Sequence, residues 1–439
     1  MHLKFKRKMA HRMKELRENI DKIAKQKDTF GLAEAGTVRQ AEFKRPEACS
    51  LVDVKKIVGR DDDKEKIVSI TVMRRLRTLQ FRESGSPIMN FYSEAKWLRL
   101  LDLHDSEISM LPSSISKLKL LRYLNLSENS IQELPKSIAS LCNLQTLNLS
   151  GCQKIRTLPK FLGRLTNLRS LDLSDCSSLT IPDSISNLQN LYALNLSNCQ
   201  EVISLEPICH LQNLHYLYLT GLYYLETLPE SIGSLQNLRI LDLCHCQCPQ
   251  LRPEPCLPPS VEHLTISRIS SENLSLILEH ATPLDGRDAA VSLQPPPNKV
   301  LRNLTIRECQ QLSCLPQSLR SLTFLQRLVI RHCKDLERIE DWLGELSDLQ
   351  YLEILGCRSL RYFPAHKMTA LQELQIHSCP LLFDAAGQFV DTTIDHIKYV
   401  KVNIRKYSYG EEGSSSSEEE EKKSWTSCWS RSNWLARRA

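Results

Sequence analysis

The chain has 439 residues, 41% of them hydrophobic and 25% charged, with a formal net charge of +6. This composition excludes a wholly disordered polymer and points to a core-forming protein. So small a positive excess over this length gives no basis for nucleic acid as the main partner, and no run approaches the roughly 18 apolar residues of a membrane span.

Residues 1–32 read as one amphipathic helix. Met9, Met13, Leu16, Ile20 and Ile23 fall at alternating spacings of four and three, which makes a single apolar stripe. Lys6, Arg7, Lys8, Lys14 and Arg17 fill the other faces, and Gly31 is a stop. A helix this short needs a surface to rest on. Packing on the neighbouring repeats or on another copy is favoured over a membrane surface. Met1 to Leu16 contains no apolar h-region, so no secretory signal is expected and a cytoplasmic location is. Residues 33–73 lack periodicity and read as a linker, ending in a turn that leads into a helix over Lys56–Val68.

Residues 74–405 are organised by one repeated pattern. Its clearest copy reads Leu144-x-x-Leu147-x-Leu149-x-x-Cys152-x-x-Ile155-x-x-Leu158-Pro159. The anchors are Leu98, Leu121, Leu144, Leu168, Leu191, Leu214, Leu238 and Val261, then Leu301, Leu325, Leu349 and Leu371. Their spacings are 23, 23, 24, 23, 23, 24 and 23, then 40, then 24, 24 and 22. A fixed period with L-x-x-L-x-L-x-x-N/C predicts an α/β repeat fold, a leucine-rich-repeat solenoid of about 12 repeats with a parallel concave sheet. Each L-x-x-L-x-L is a strand whose leucines point inward while the intervening residues face the concave side. Cys152, Cys176, Cys199, Cys246, Cys309, Cys333, Cys357 and Cys379 share the position held by Asn129 in an early repeat. They are expected to be small buried side chains that stay reduced. The cluster Cys244, Cys246, Cys248 and Cys256 matches no zinc-ligand spacing, so no metal is assigned.

The gap of 40 marks an insertion at 270–300 that is expected to project from the solenoid. Met73–Phe81 already has the look of a strand, and Ile397–Val402 reads as a last edge strand. Residues 406–439 form a low-complexity tail expected to be disordered, with Ser414–Ser417, Glu418–Glu421 and three tryptophans.

His11-Arg12-Met13-Lys14-Glu15-Leu16, followed by Asp21-Lys22-Ile23, resembles the last helix of the coiled-coil domain in plant coiled-coil NLR disease resistance proteins. Ile57-Val58-Gly59-Arg60-Asp61 resembles the opening of their nucleotide-binding NB-ARC domain, and the Leu-Pro-containing repeats resemble their C-terminal sensor. The departure is large. The family places some three hundred residues of NB-ARC domain where this chain passes almost directly from Val68 to its repeats, and no G-x-x-x-x-G-K-[ST] occurs. Relatives bind ADP or ATP. Here the remnant Val58, Gly59 and Arg60 lack a phosphate site, and no cofactor is expected. The resemblance implies a plant defence sensor, adaptor or decoy that recognises a pathogen effector or a guarded host protein, with family relatives as further partners of the N-terminal helix.

The expected working face is concave. Tyr216 and Tyr218, beside Tyr192, His215, Tyr223 and Tyr224, form an aromatic patch, and Arg268, Arg302, Arg307, Arg327, Arg331 and His332 form a basic cluster among Glu262, Glu308 and Glu353. Aromatic residues beside arginines have the composition of interface hot spots, while ordinary ion pairs between neighbouring repeats account equally well for any single residue. No Ser/His/Asp or Cys/His constellation is visible, so a non-enzymatic protein is expected. The alternative reading is an intracellular scaffold of the kind that binds small GTPases, which leaves Val58-Gly59-Arg60 unexplained.

Overall fold

The computed structural model describes residues 77–80, 95–225, 227–246, 257–279, 301–383 and 394–403. The expected helix at 1–32, the linker with Val58, Gly59 and Arg60, and the tail at 406–439 lie outside them.

Period-two patterning builds one parallel sheet of 14 strands, in which each strand pairs only with its neighbours in sequence. The strands are β1 (Thr78–Gln80), β2 (Leu100–Asp102), β3 (Tyr123–Asn125), β4 (Thr146–Asn148), β5 (Ser170–Asp172), β6 (Ala193–Asn195), β7 (Tyr216–Tyr218) and β8 (Ile240–Leu243), followed by β9 (His263–Ser267), β10 (Asn303–Arg307), β11 (Arg327–Arg331), β12 (Tyr351–Leu355), β13 (Glu373–His377) and β14 (Tyr399–Asn403). The expected dozen gains β1 and β14 as its end turns, close to where Met73–Phe81 and Ile397–Val402 were read as strands. Register is set by leucines: Leu101, Leu124, Leu147, Leu171 and Leu194 pair across successive strands. All are fully buried, as are Leu98, Leu121, Leu144 and Leu168. A slip of one residue would turn each such leucine to solvent, at about 1.5–3 kcal/mol per side chain.

The convex side is made of 3-10 turns where an α/β reading would place α-helices. Pro112, Pro135, Pro159 and Pro229 each precede a five-residue turn and sit in extended backbone, Pro112 at φ −71° and ψ 148°. Each proline carbonyl accepts the N–H three residues on, as Pro112 does from Ile115 at 3.1 Å, and the missing proline N–H breaks no ladder bond. Ile115, Ile138, Leu162 and Ile232 then drop into the core.

Between β9 and β10 this turn becomes an α-helix, α1 (Ser271–Glu279). The insertion at 270–300 was expected to project, but its described beginning does not. Leu274, Ile277 and Leu278 are buried in the common core, because their i, i+3, i+4 spacing faces one stripe inward.

The recurrent Asn/Cys position seals the turn that leaves each strand. Asn129 donates to Leu103, Leu126 and Ser127 carbonyls at 2.7–3.0 Å and accepts from the Ser106 and Ile108 amides at 3.1 and 2.8 Å. Cys152, Cys176 and Cys199 replace it with one thiol bond each, to the carbonyls of Leu126, Leu149 and Leu173. These cysteines are free and buried, in keeping with the structural role expected of them. Burial pushes the thiol of Cys152 up to about 11 and that of Cys199 up to about 12, so both remain protonated donors.

Candidate functional site

The strands present four rows of side chains to the concave side, and the rows differ in chemistry. The central row was expected to face solvent. Instead Asn125, Asp172 and Asp242 are buried, at 9%, 4% and 1% exposure. Their side-chain oxygens fold back onto the backbone: Oδ1 accepts the amide two residues on in Asp102, Asn125, Asn148, Asp172, Asn195 and Asp242, at 2.8–3.2 Å. These are Asx turns that end the strand, so this row serves the fold. Burial raises the carboxyls of Asp172 and Asp242 to about 6.

The aromatic patch is smaller than the sequence suggested. His215 stacks on Tyr192 with ring centroids 4.2 Å apart, and Tyr216 meets the same ring edge-on at 5.1 Å. Burial, then the bond to Tyr192, pushes the Tyr216 hydroxyl up to about 12. Tyr218 does not join them as an exposed contact. It is only 8% exposed, because the central position of β7 lies in the floor of the sheet. Tyr223 and Tyr224 are exposed, but they follow Gly221 in the turn beyond the strand.

The basic cluster resolves into two glutamate-centred networks and two outlying residues, Arg302 and Arg307. Arg331 reaches Glu353 at 2.8 Å, Arg327 reaches it at 3.8 Å, and the Tyr351 hydroxyl donates to it at 2.9 Å. Arg327 also lies 3.6 Å above the Tyr351 ring. One rung away, Arg268 binds Glu308 at 2.9 Å and His245 stands 3.7 Å from the same carboxylate. Burial works against the charge of Glu308, but the Arg268 bond and the adjoining His245 and His332 outweigh it and hold the carboxyl below its ordinary value. Arg307 overturns the expectation of an exposed contact. Its side chain crosses two strands along the sheet floor to Cys244 Sγ at 3.7 Å and is 7% exposed. Among the eight residues expected to bind a partner, Arg268, Arg302, Arg327 and His332 are exposed, and His332 leans over Gly356.

Two further rows were read from the sequence only in part, through Arg302 in one and Arg268, Glu308 and His332 in the other. One residue after five of the twelve anchors comes Arg99, Arg122, Arg169, Arg239 or Arg302, all exposed on the N-terminal rim of the sheet, while Gln145, Tyr192, His215, Glu262, Gln326, Gln350 and Gln372 hold that place after the others. Seven residues after each anchor comes a residue with positive φ, among them Asp105 at 49°, Glu128 at 56°, Asp175 at 59° and Asn198 at 60°. This row is the C-terminal rim. Gly151 and Gly221 occupy it where the side chain of the preceding repeat, Glu128 or Asn198, takes the space of a Cβ. Non-glycine residues with positive φ are uncommon. Here the amide of each is tied to the next repeat, as Asp105 is to Ser127 at 3.0 Å.

A one-strand-per-turn solenoid with buried leucine columns and an Asn/Cys row defines a leucine-rich-repeat domain, an architecture that binds proteins on extended concave surfaces. The family model for a leucine-rich repeat region matches residues 75–199, and that for Zer-1-like leucine-rich repeats matches residues 182–275. No curated protein matches the chain. Among solved structures, a leucine-rich-repeat protein of Leptospira interrogans is similar at 22% identity, over 72% of this chain and 86% of its own, with a TM-score of 0.45. The functional domain of InlJ from Listeria monocytogenes, which includes a cysteine ladder, is similar at 18% identity, over 71% of this chain and 64% of its own, with a TM-score of 0.45. The ectodomain of the plant membrane receptor kinase GASSHO1/SCHENGEN3 from Arabidopsis thaliana, solved with CASPARIAN STRIP INTEGRITY FACTOR 2, shares 21% identity over 74% of this chain and 41% of its own, with a TM-score of 0.40. Among the described residues, no helix is long and apolar enough to cross a membrane.

Proposed function

We propose that this chain is a non-enzymatic recognition protein of plant defence, acting in the cytoplasm as sensor, adaptor or decoy without a nucleotide switch. The observation that carries the recognition role is the concave face itself, a continuous sheet with the Tyr192–His215–Tyr216 patch and exposed arginines on its N-terminal rim. The defence assignment is supported by the resemblance of His11–Ile23 and Ile57–Asp61 to segments of coiled-coil resistance proteins, in the family's own order. With no phosphate-cradling glycine loop in the sequence, the chain recognises but does not switch.

The test co-expresses the tagged full chain with a panel of pathogen effectors and their host targets in plant leaves, and scores co-precipitation and cell death. The expected result is one specific partner, lost with Tyr192→Ala/Tyr216→Ala. A partner indifferent to that pair, or capture confined to small GTPases in unchallenged cells, overturns the reading. Titration with fluorescent ADP is expected to show no binding at micromolar concentration, and saturable binding there would restore a nucleotide switch.

A further inference from the structure

Charge is segregated across the first strands of the sheet. Along β2–β5 the N-terminal rim carries Arg99, Arg122 and Arg169, and the turns leading into it add Lys96, Lys119 and Arg164, all exposed. Residues 113–122, 136–145 and 160–169, which lead into β3, β4 and β5, contain no Asp or Glu, while the segment leading into β2 contains Glu94. Arg99 and Arg169 have no carboxylate partner among the described residues. The opposite rim carries Asp105, Glu128 and Asp175. The rims lie six residues apart in sequence, three of them in the strand and the rest in the turn beyond it, so their separation is at most about 20 Å, against a screening length of about 8 Å at physiological salt. Each rim therefore presents its own sign to a partner.

We infer that the Arg99–Arg122–Arg169 rim is a docking strip for an acidic, extended segment of a protein partner, running along the solenoid axis across the strands. The inference rests on the concave-face recognition role above and specifies its chemistry. Strands about 4.8 Å apart put Arg99 and Arg122 one strand apart and Arg169 two strands further. The strip is therefore about 14 Å long, the reach of four or five extended residues. A single polypeptide strand fits one rim without meeting the acidic one. A nucleic-acid duplex is about as wide as the two rims are apart and would bring its phosphates against Asp105, Glu128 and Asp175. The backbone of the rim is held by bonds such as Arg122 N–H to the Arg99 carbonyl and Arg169 N–H to the Gln145 carbonyl, both at 2.8 Å, which a side-chain substitution leaves in place.

The experiment measures fluorescence anisotropy of a labelled deca-glutamate peptide with the full chain, at low and at physiological salt. Deca-lysine and an oligothymidylate serve as comparison probes. Deca-glutamate is expected to bind at low salt and to weaken several-fold at physiological salt. The Arg99→Gln/Arg122→Gln/Arg169→Gln variant, its fold checked by circular dichroism, is expected to bind at least ten-fold more weakly. Asp105→Asn/Glu128→Gln/Asp175→Asn is expected to bind no worse than wild type. Absence of deca-glutamate binding at low salt, or an unchanged triple-arginine variant, overturns the proposal. Tighter binding of oligothymidylate assigns the strip to nucleic acid, and self-association abolished by the arginine variant assigns it to a second copy; either result also overturns it. A natural partner released by the Tyr192/Tyr216 pair but retained by the arginine variant leaves the recognition role standing and removes the strip alone.

Discussion

The sheet has two halves that solve the same problem with different side chains. From β2 to β7 the strands are three residues long, and in most of them the central Asp or Asn caps its own chain end. From β9 to β13 they are five residues long, and the central position holds Thr, Val, Glu or Gln. Without an Asx turn the ladder runs on for two more residues, which brings Arg307, Arg331 and His377 into the sheet. A second ladder also stops at the divide. Asn143, Asn167, Asn190, Asn213 and Asn237 each donate to a carbonyl of the preceding repeat, at 2.7–2.9 Å. Phe324 and Asp348 stand at that place in the later repeats. The first half is thus closed by short bonds from side chains to the backbone, the second by longer strands and charge pairs.

The sharpest way to break this contrast is to empty one rung in each half. Asn129→Ala removes five hydrogen bonds in a buried site and is expected to destabilise by about 3–5 kcal/mol. Cys333→Ala, at the same position of the later half, should lose only about 1 kcal/mol. Urea midpoints measure both; Cys152, Cys176 and Cys199 hold this position in the first half too, so the pair compares an Asn rung with a Cys rung, and equal losses would show that the extra bonds of Asn129 add nothing. Glu353→Ala strips the counter-charge from Arg331 and Arg327 and should destabilise by about 3 kcal/mol, with Glu353→Gln milder and the loss blunted in high salt.

Asp172 offers a contrast within the first half. Its carboxyl is raised from 3.8 to about 6, so the native chain keeps a proton that the unfolded chain has released in that interval. Stability therefore falls as pH rises from about 4 to 6. Asp172→Asn, which matches Asn125, Asn148 and Asn195, should stabilise by about 2 kcal/mol at pH 7 and hardly at all at pH 4. Parallel pH–stability curves for the two proteins would refute the buried charge. The smallest effect is expected from Asn190→Ala, about 0.5–1 kcal/mol, because its bond to the Thr166 carbonyl lies at the surface.

The leucine period made the solenoid, its register and its buried cysteines legible, because those features depend on which side of a strand a residue occupies. The candidate surface was less legible, since the same alternation says nothing of side-chain reach. Asn125 and Asp172 are short enough to turn back to their own backbone, while Arg307 is long enough to lie across two strands. Arg327 and Arg331 were visible as a cluster, but their capture by Glu353 depends on β11 and β12 aligning Val329 with Glu353. The rim arginines Arg99, Arg122 and Arg169 were readable one place after their anchors; what they lacked was a reason to be singled out until the opposite rim was seen to be acidic. Of the insertion at 270–300, only the start is described, and it packs inward because Leu274, Ile277 and Leu278 have the helical spacing that places them on one face.

The helix that replaces one convex turn bears on how the chain folds. From β1 to β9 and from β10 to β13 a strand finds its partner 22–24 residues along, and β14 follows β13 at 26; between β9 and β10 the separation is 40, as the pairing of Thr265 with Thr305 requires. Lengthening the loop by that ratio raises its closure entropy by only about 0.5 kcal/mol. A folding front that advances one repeat at a time crosses the seam with little delay, provided that α1 forms early enough to bury Leu274 and Leu278. The seam is accordingly where the array accepts extra chain cheaply; it lies one strand beyond the change from three-residue to five-residue strands, and the two halves can still fold across it as one continuous molecule.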